Sequence, residues 1–309
     1  MPSVFIGSAR PTTRILTVDL GFMDFGGPGP ALRGQYLAKA MAASSSEFPL
    51  IVTEGDGLTS THLVFQGGDL FVHSAPAPGK GRSNEDAAVA VAWGGTQGLL
   101  AVADGLGGQP SADQASGILV RALGALGSGS EDELGPIVER TLEGANQSIM
   151  DLGVGAGTTL ALVEFSAEGL RSSHVGDSIV ALVDRDGLLK LSTVSHSPVG
   201  YAQEAGLLTE LQALRHPDRH VISNMVGSTS MRVERGEFIP WEPGDTLLIA
   251  SDGLTDNMRT EEWVDILVVA PPRLAGPTLV ALAEERMAKG SEVIPGKPDD
   301  LTVIVYRRN

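Results

Sequence analysis

The sequence contains no cysteine. Disulfide frameworks, thiolate zinc sites and every mechanism that uses a cysteine nucleophile are therefore excluded. The absence also fits a reducing compartment, and we expect a cytoplasmic protein.

Basic residues are few, because 22 lysines and arginines stand against 38 aspartates and glutamates, for a formal net charge of −16. Such a chain repels polyanions except where bound cations reverse the local field, so nucleic acid is not an expected partner.

Gly, Asp or Ser interrupts every stretch that approaches the roughly 18 to 20 apolar residues of a membrane-spanning helix. Met1 to Leu20 also lacks the charge pattern and cleavage site of an export signal. We therefore expect no membrane partner.

The 309 residues suffice for one large domain with an appendage or for two small domains, and we favour the first. The predicted appendage is residues 1–68, an N-terminal extension of unknown role with two short β-like runs, Ile15–Leu20 and Leu50–Thr53. Extra edge strands, a partly disordered tail, and a regulatory or partner-binding segment are the open interpretations. Residues 69–309 form the predicted main domain.

From Asp69 onward, short β-rich runs alternate with turn signals and amphipathic stretches. The predicted strands are Ala87–Trp93, Leu99–Ala103, Thr158–Phe165, Leu170–Val175, Ile179–Asp184, Thr246–Ala250 and Leu301–Tyr306. The predicted helices are one that follows a capping box of Ser111 and Gln114, then Glu131–Leu152, Glu261–Val269 and Pro277–Ala288. Antiparallel strands with interspersed helices predict an α+β sandwich whose packed sheets carry helices on their outer faces.

Acidic residues stand at one particular end of several predicted strands. Glu85 and Asp86 precede the first predicted strand, and Asp104 ends the second, after a glycine-rich connection. An antiparallel hairpin places the start of one strand beside the end of its partner, so these three side chains meet at one sheet edge.

The same arrangement recurs near the C-terminus. Thr246–Ala250 runs into Ser251-Asp252-Gly253, and Leu301–Tyr306 follows Asp299-Asp300. If these two strands pair antiparallel, Asp252 meets Asp299. A further acidic turn contains Asp177, although a single Asp-Gly is by itself typical of a plain β-turn.

Carboxylates gathered at the end of a buried sheet raise each other's pKa unless cations compensate. An all-oxygen ligand set selects hard ions, Mg²⁺ or Mn²⁺, over zinc or copper. Two such ions would share a hydroxide, neutralise a phosphate and steady the attacking and leaving oxygens of an in-line displacement. The pattern therefore predicts phosphomonoester hydrolysis without a protein nucleophile.

The acidic motifs together resemble those of the PP2C-like (PPM) metal-dependent protein serine/threonine phosphatases of bacterial type. In order they are Arg82-Ser-Asn-Glu-Asp86, Ala103-Asp-Gly-Leu-Gly-Gly108, Gly157-Thr-Thr159, His174-Val-Gly-Asp-Ser178, Ser251-Asp-Gly-Leu254 and Asp299-Asp-Leu-Thr-Val303. The resemblance covers residues 69–309 and implies a four-layer α-β-β-α sandwich, two antiparallel sheets flanked by helices, with the metals in a cleft at the sheet ends.

The resemblance also implies roles for individual residues. Asp104 would bridge two ions, the Gly105 carbonyl would bind one, and Asp252 and Asp299 would bind directly. Glu85 and Asp86 would act directly or through water, and Asp177 would contribute to a third, weaker metal site. The predicted catalytic residues are Asp86, Asp104, Asp252 and Asp299. Gly81 stands where the family's phosphate-binding arginine usually lies, so Arg82 is taken as its substitute.

The segment Ser195 to Ser228 resembles the family's flap beside the active site, with a short helix over Val199–Ala205 and a second capping box of Thr209 and Gln212. A structural helical hairpin is the alternative interpretation.

The sequence therefore predicts hydrolysis of phosphoserine and phosphothreonine on proteins. The implied partners are a phosphoprotein substrate and a serine/threonine kinase. Two alternatives stay open: a pseudophosphatase that binds phosphoproteins without turnover, and a phosphatase of small phosphorylated metabolites, which would show little preference for a phosphopeptide.

Overall fold

The computed structural model describes residues 48–53, 59–79, 83–127, 134–291 and 293–308. The predicted strand Ile15–Leu20 and the predicted phosphate ligand Arg82 lie outside these ranges. Among the described residues, no helix combines the length and apolar character that crossing a membrane requires.

Thirteen strands and seven helices make up the described part of the chain. The strands are β1 Leu50–Val52, β2 Thr59–Phe65, β3 Gly68–Ala75, β4 Asp86–Trp93, β5 Gln97–Asp104, β6 Leu160–Phe165, β7 Gly169–Val175, β8 Ile179–Val183, β9 Leu189–Ser192, β10 Glu234–Arg235, β11 Ile239–Pro240, β12 Thr246–Ala250 and β13 Leu301–Arg308. The helices are α1 Ala112–Gly124, α2 Leu134–Met150, α3 Pro198–Glu204, α4 Glu210–Leu214, α5 Asp252–Thr255, α6 Thr260–Val269 and α7 Pro272–Lys289.

The strands form two sheets in which the pairings are antiparallel. One sheet has the order β1-β4-β5-β6-β7-β10, with β11 also paired to β7. The other has the order β2-β3-β13-β12-β8-β9. All seven strands predicted from the main domain are present, within three residues at either end.

Alternation along the central strands builds the layers, since successive side chains of a strand point to opposite faces. In β5, Leu100 and Val102 belong to the cluster between the sheets, whereas Leu99 and Ala101 pack with α1 and α2. In β12, Ile249 faces the other sheet and its neighbours face the helical layer of α6 and α7. The predicted four-layer α-β-β-α sandwich is confirmed.

Two strands come from the segment assigned to the N-terminal extension. β1 pairs with β4 at the edge of one sheet, and β2 pairs with β3 at the edge of the other. The described part of that segment therefore supplies edge strands, which is one of the interpretations left open for it. A domain boundary at residue 68 stays a proposal.

One predicted cap and one predicted helix start differ from the structure, although α1 begins directly after Ser111 as expected. The capping box of Ser111 and Gln114 is wrong, because Ser111 has φ 60° and ψ 34° and makes no side-chain cap hydrogen bond. An N-cap residue normally has extended backbone, and the left-handed turn at Ser111 directs its side chain elsewhere. The last helix begins at Pro272 rather than Pro277, which lies inside it. The second capping box, Thr209 with Gln212, is confirmed.

The close approach of α7 to β3 requires a glycine at position 276, and this contact gives a stability test. A Cβ atom at Gly276 would lie 2.0 Å from Cδ1 of Phe71, a buried side chain of β3. We expect Gly276→Ala to lower the free energy of unfolding by about 1 to 3 kcal/mol, measured by urea denaturation. Gly144→Ala, in open space on α2, should instead raise it by about 0.5 to 1 kcal/mol. A neutral or stabilising Gly276→Ala would contradict the packing described.

The buried His73 gives a pH test of the same fold. Burial lowers the pKa of His73, on β3, to about 4 from the ordinary 6.5. Between these values the unfolded chain binds more protons than the folded one, so the free energy of unfolding falls as the pH falls from 6.5 to 4. We expect His73→Gln to lose about 3 kcal/mol less than the natural chain over that range, measured by urea denaturation. His220→Gln, at an exposed position, should keep the natural slope. Identical slopes for His73→Gln and the natural chain would contradict the account.

Candidate active site

The β4-β5 hairpin brings two aspartates face to face. Trp93 pairs with Gln97 at one end of the hairpin, and Asp86 pairs with Asp104 at the other. The connection has three residues, Gly94 to Thr96, and Gly94 and Gly95 have left-handed φ angles of 42° and 38°, which glycine adopts without strain. The short turn fixes the register, and the register places both carboxylates at the same sheet edge.

The β12-β13 pair presents its acidic residues at its own corresponding edge. Ala250 pairs with Val303, and the N–H of Ser251 donates to the Thr302 carbonyl at 3.0 Å. Asp252 follows at once as the first residue of α5, and Asp299 lies just before β13. The predicted antiparallel pairing is therefore present.

A hydrogen bond between the sheets joins the two edges. The Ser251 hydroxyl donates to Oδ2 of Asp86 at 2.7 Å and accepts from the Thr302 N–H at 3.0 Å. Ser251 and Asp86 are both buried. The bond ties the start of β4 in one sheet to the ends of β12 and β13 in the other.

The pKa shifts show that the carboxylates lie together. Burial raises the pKa of Asp104 well above its ordinary value, and the charges of Asp86, Asp252, Asp177 and Asp299 add to the effect. Burial and then the charge of Asp300 raise the pKa of Asp86 to about 8, against the lowering effect of its bond to Ser251. Protein groups alone do not compensate this concentration of negative charge.

Two carboxylate oxygens at the centre are buried without a hydrogen-bond partner in the described structure. They are Oδ1 of Asp86 and Oδ1 of Asp252. Buried polar atoms are normally satisfied, and an orphaned one calls for an explanation such as an ion. Oxygen-only donors with orphaned lone pairs fit a hard divalent cation.

Asp177 lies on the side of this cluster nearest the predicted flap. Burial raises its pKa to about 8, and the charges of Asp252 and Asp256 act in the same direction. A cavity of about 240 Å³ is lined by Asp177, Asp252 and Asp256 together with residues of α3 and α4. The segment that resembles the flap thus lies beside the acidic cluster.

The neighbouring loop holds Glu85 and Gly105 by backbone contacts. The Gly105 N–H donates to the Glu85 carbonyl at 3.0 Å, and a Cβ atom at Gly105 would lie 2.4 Å from the carbonyl oxygen of Ala112. The carboxylate of Asp300 accepts from the N–H groups of Glu85, at 2.6 Å, and Ala77, at 2.8 Å. Asp300 therefore positions the loop. Arg82 lies outside the described residues, so its predicted contact with phosphate stays a prediction.

Sequence reasoning missed two charged residues of the cluster. Asp256 lies four residues after Asp252 on the turn of α5, and the Lys297 ammonium contacts both of their carboxylates. The spacing of four residues was a usable signal for Asp256, because such residues share a helix face. Lys297 carried no signal, since a lysine in a loop before a strand is ordinarily solvated.

Two histidines lie together on the flap side of the cluster. His174 and His196 stack with ring centroids 4.3 Å apart, and Glu234 adds a ligand-type atom within 4.8 Å of theirs. However, Nδ1 of His196 accepts from the Gly176 N–H at 3.1 Å and from Asn224 at 2.9 Å. The proton of this neutral imidazole is therefore on Nε2, which donates to Glu234 at 3.1 Å and cannot ligate a metal. The group ties the flap to the Gly176-Asp177 turn.

Comparisons with known proteins agree with this geometry. A family model described as Protein phosphatase 2C matches residues 78–289. The serine/threonine phosphatase stp of Listeria innocua is 30% identical over 226 residues, which cover 69% of this chain and 85% of that protein. The solved serine/threonine phosphatase of S. agalactiae superposes with a TM-score of 0.65 at 28% identity, over 78% of this chain and 100% of that one. The catalytic domain of serine/threonine protein phosphatase PstP, solved in complex with 2 manganese ions, superposes with a TM-score of 0.62 at 25% identity. The match covers 77% of this chain and 96% of that one.

The Listeria relative and the two solved structures named above are phosphatases, and the family model describes protein phosphatases. The chain belongs to the protein phosphatase 2C family. The resemblance drawn from the acidic motifs is therefore confirmed, and with it the α+β fold of two antiparallel sheets.

The bond between the sheets gives a test of the site's construction. Ser251→Ala removes a donor to the buried Asp86 carboxylate and leaves the Thr302 N–H without its acceptor. We expect a loss of about 3 kcal/mol in the free energy of unfolding, measured by urea denaturation of the metal-free protein, since the change leaves two buried groups without a partner and each costs about 1 to 3 kcal/mol. Ser148→Ala, at an exposed position on α2, should change it by less than about 0.5 kcal/mol. Equal stabilities of the two variants would contradict the role given to Ser251.

Proposed function

We propose that this chain hydrolyses phosphoserine and phosphothreonine esters on proteins, at a centre of two divalent cations held by carboxylates from the strand ends. The meeting of Asp86, Asp104, Asp252 and Asp299 carries the proposal, together with the orphaned oxygens on Asp86 and Asp252. Membership of the protein phosphatase 2C family supports the reaction class.

The ligand assignment follows the family resemblance onto this geometry. Asp104, Asp252, Asp299 and the Gly105 carbonyl would hold the two ions directly. Glu85 and Asp86 would bind directly or through water. The bond from Ser251 occupies Oδ2 of Asp86 and leaves Oδ1 for an ion or its water.

The cations, once bound, would supply a hydroxide at neutral pH and neutralise the charge on the phosphate. The chain's own residues position these groups in a partly buried site, where electrostatic interactions exceed those in water. The oxygen-only ligand set favours Mg²⁺ or Mn²⁺, and the manganese complex of PstP supports the latter.

The cavity between the flap helices and Asp177 supports a peptide substrate, because it extends from the acidic cluster along α3 and α4. Residues flanking the phosphorylated side chain would lie against this surface. Arg82 is proposed to contact the phosphate, on the strength of its place in the first motif. A serine/threonine kinase as the opposing enzyme and a cytoplasmic location are further predictions from the sequence. The third, weaker ion that the family resemblance implies near Asp177 is not part of this proposal.

The direct test is Mn²⁺-dependent release of phosphate from a phosphothreonine peptide. We expect Asp104→Asn and Asp252→Asn each to lower kcat/KM by more than about 100-fold, because even an outer-shell partner of a metal is worth about 10- to 100-fold. Asp186→Asn, in an exposed turn, should keep the natural rate. Excess chelator should abolish the activity, and Mn²⁺ should restore it.

Three outcomes would count against the proposal. Equal rates for the natural chain, Asp104→Asn and Asp252→Asn would show that the cluster is not the active site. Equal use of the phosphopeptide and a simple aryl phosphate would favour a phosphatase of small metabolites. Mn²⁺ binding without turnover of either substrate would favour a pseudophosphatase.

A further inference from the structure

The Lys297 side chain reaches into the acidic cluster from the loop before β13. Its ammonium lies 2.5 Å from Oδ2 of Asp252, 2.6 Å from Oδ2 of Asp256 and 3.2 Å from Oδ2 of Asp299. The lysine side chain is 19% exposed. Three carboxylates around one half-buried ammonium differ from a surface ion pair, where solvent screens the attraction.

The backbone of Lys297 is fixed by Asn257, a fully buried residue just after α5. Oδ1 of Asn257 accepts from the Lys297 N–H at 3.0 Å, and its Nδ2 donates to the Lys297 carbonyl at 2.9 Å. The same Nδ2 donates to the Gly253 carbonyl at 3.0 Å, next to Asp252. The loop and the α5 turn are thus held as one unit, so the position of the ammonium is built into the fold.

The ammonium divides the Asp252 carboxylate between two roles. It takes Oδ2, whereas Oδ1 is the orphaned oxygen that faces no hydrogen-bond donor in the described structure. A cation can therefore use Oδ1 of Asp252 while the lysine keeps Oδ2. The ammonium also lies 2.6 Å from Oδ2 of Asp256, which lines the same cavity as Asp177.

The electrostatics of this part of the cluster agree with a resident cation. The Lys297 ammonium lies within 3.2 Å of carboxylate oxygens on Asp252, Asp256 and Asp299. A divalent ion entering here would face a fixed positive charge at close range.

We propose that Lys297 is a resident cation of the centre, which stands between Asp252, Asp256 and Asp299 and keeps a third divalent ion from the Asp177 side. The inference rests on the proposed two-ion centre and deepens it. Lys297 is a positioning residue, because it acts through the carboxylates, and it makes this chain a two-ion protein despite the acidic residues available for a third.

The test counts bound Mn²⁺ by equilibrium dialysis of the full chain followed by metal analysis. We expect the natural chain to bind two ions and Lys297→Gln to bind three. The third ion on Lys297→Gln should have a dissociation constant at least about tenfold lower than that of any third ion on the natural chain. Lys297→Arg keeps the charge and should bind two. Lys289→Gln, a change of the same kind on a lysine whose side chain is 69% exposed, should also bind two.

Two results would overturn the inference. One is an equal number of ions, bound with equal affinity, on Lys297→Gln and the natural chain. The other is a third ion on the natural chain at concentrations that saturate the first two, and this result needs no variant to fold. Failure of the proposed function would give a different result. In that case the natural chain and Asp104→Asn would bind the same number of Mn²⁺ ions, because the acidic cluster would not be a metal centre.

Discussion

The structure depends on like charges being forced together at the ends of two packed sheets. Asp86 and Asp104 are paired by the register of one hairpin, and Asp252 and Asp299 flank the antiparallel pair that faces it. Burial raises the pKa of Asp104 and the charges of its neighbours raise it further. Such an arrangement does not stabilise the fold, because burying like charges together costs free energy and hydrophobic residues in the same place would avoid that cost. The arrangement therefore supports the proposal of a functional site whose oxygens receive cations.

The rest of the architecture serves to hold these groups in place. The period-two alternation of the central strands buries one face between the sheets and the other beneath the helices, so the sheet edges cannot shift without exposing a face. Ser251 then links the two sheets at the level of the carboxylates. Asp300 and Asn257 fix the loops on either side by hydrogen bonds to backbone groups. The carboxylates are positioned by the scaffold, which is what a preorganised centre requires.

Much of the fold could be predicted because strand signals and acidic motifs agreed with each other. The strands from Ala87 to Tyr306, their antiparallel pairing and the convergence of the acidic ends followed from alternation, turns and hairpin geometry. The cap of α1 could not be predicted in this way, because Ser111 has a left-handed backbone and makes no side-chain cap hydrogen bond. The place of Pro277 inside α7 was missed for a similar reason, since a proline earlier in the chain begins the helix.

For the site, local sequence carried the carboxylates but not the cation among them. Asp252 and Asp299 stand in short motifs, whereas Lys297 enters the cluster through tertiary contacts with Asn257, 40 residues away.

The most direct measurement of the central claim is anomalous diffraction from crystals soaked in Mn²⁺. The account predicts two strong peaks among the carboxylates of Asp86, Asp104, Asp252 and Asp299. Peaks confined to other surfaces, or none at saturating Mn²⁺, would contradict it.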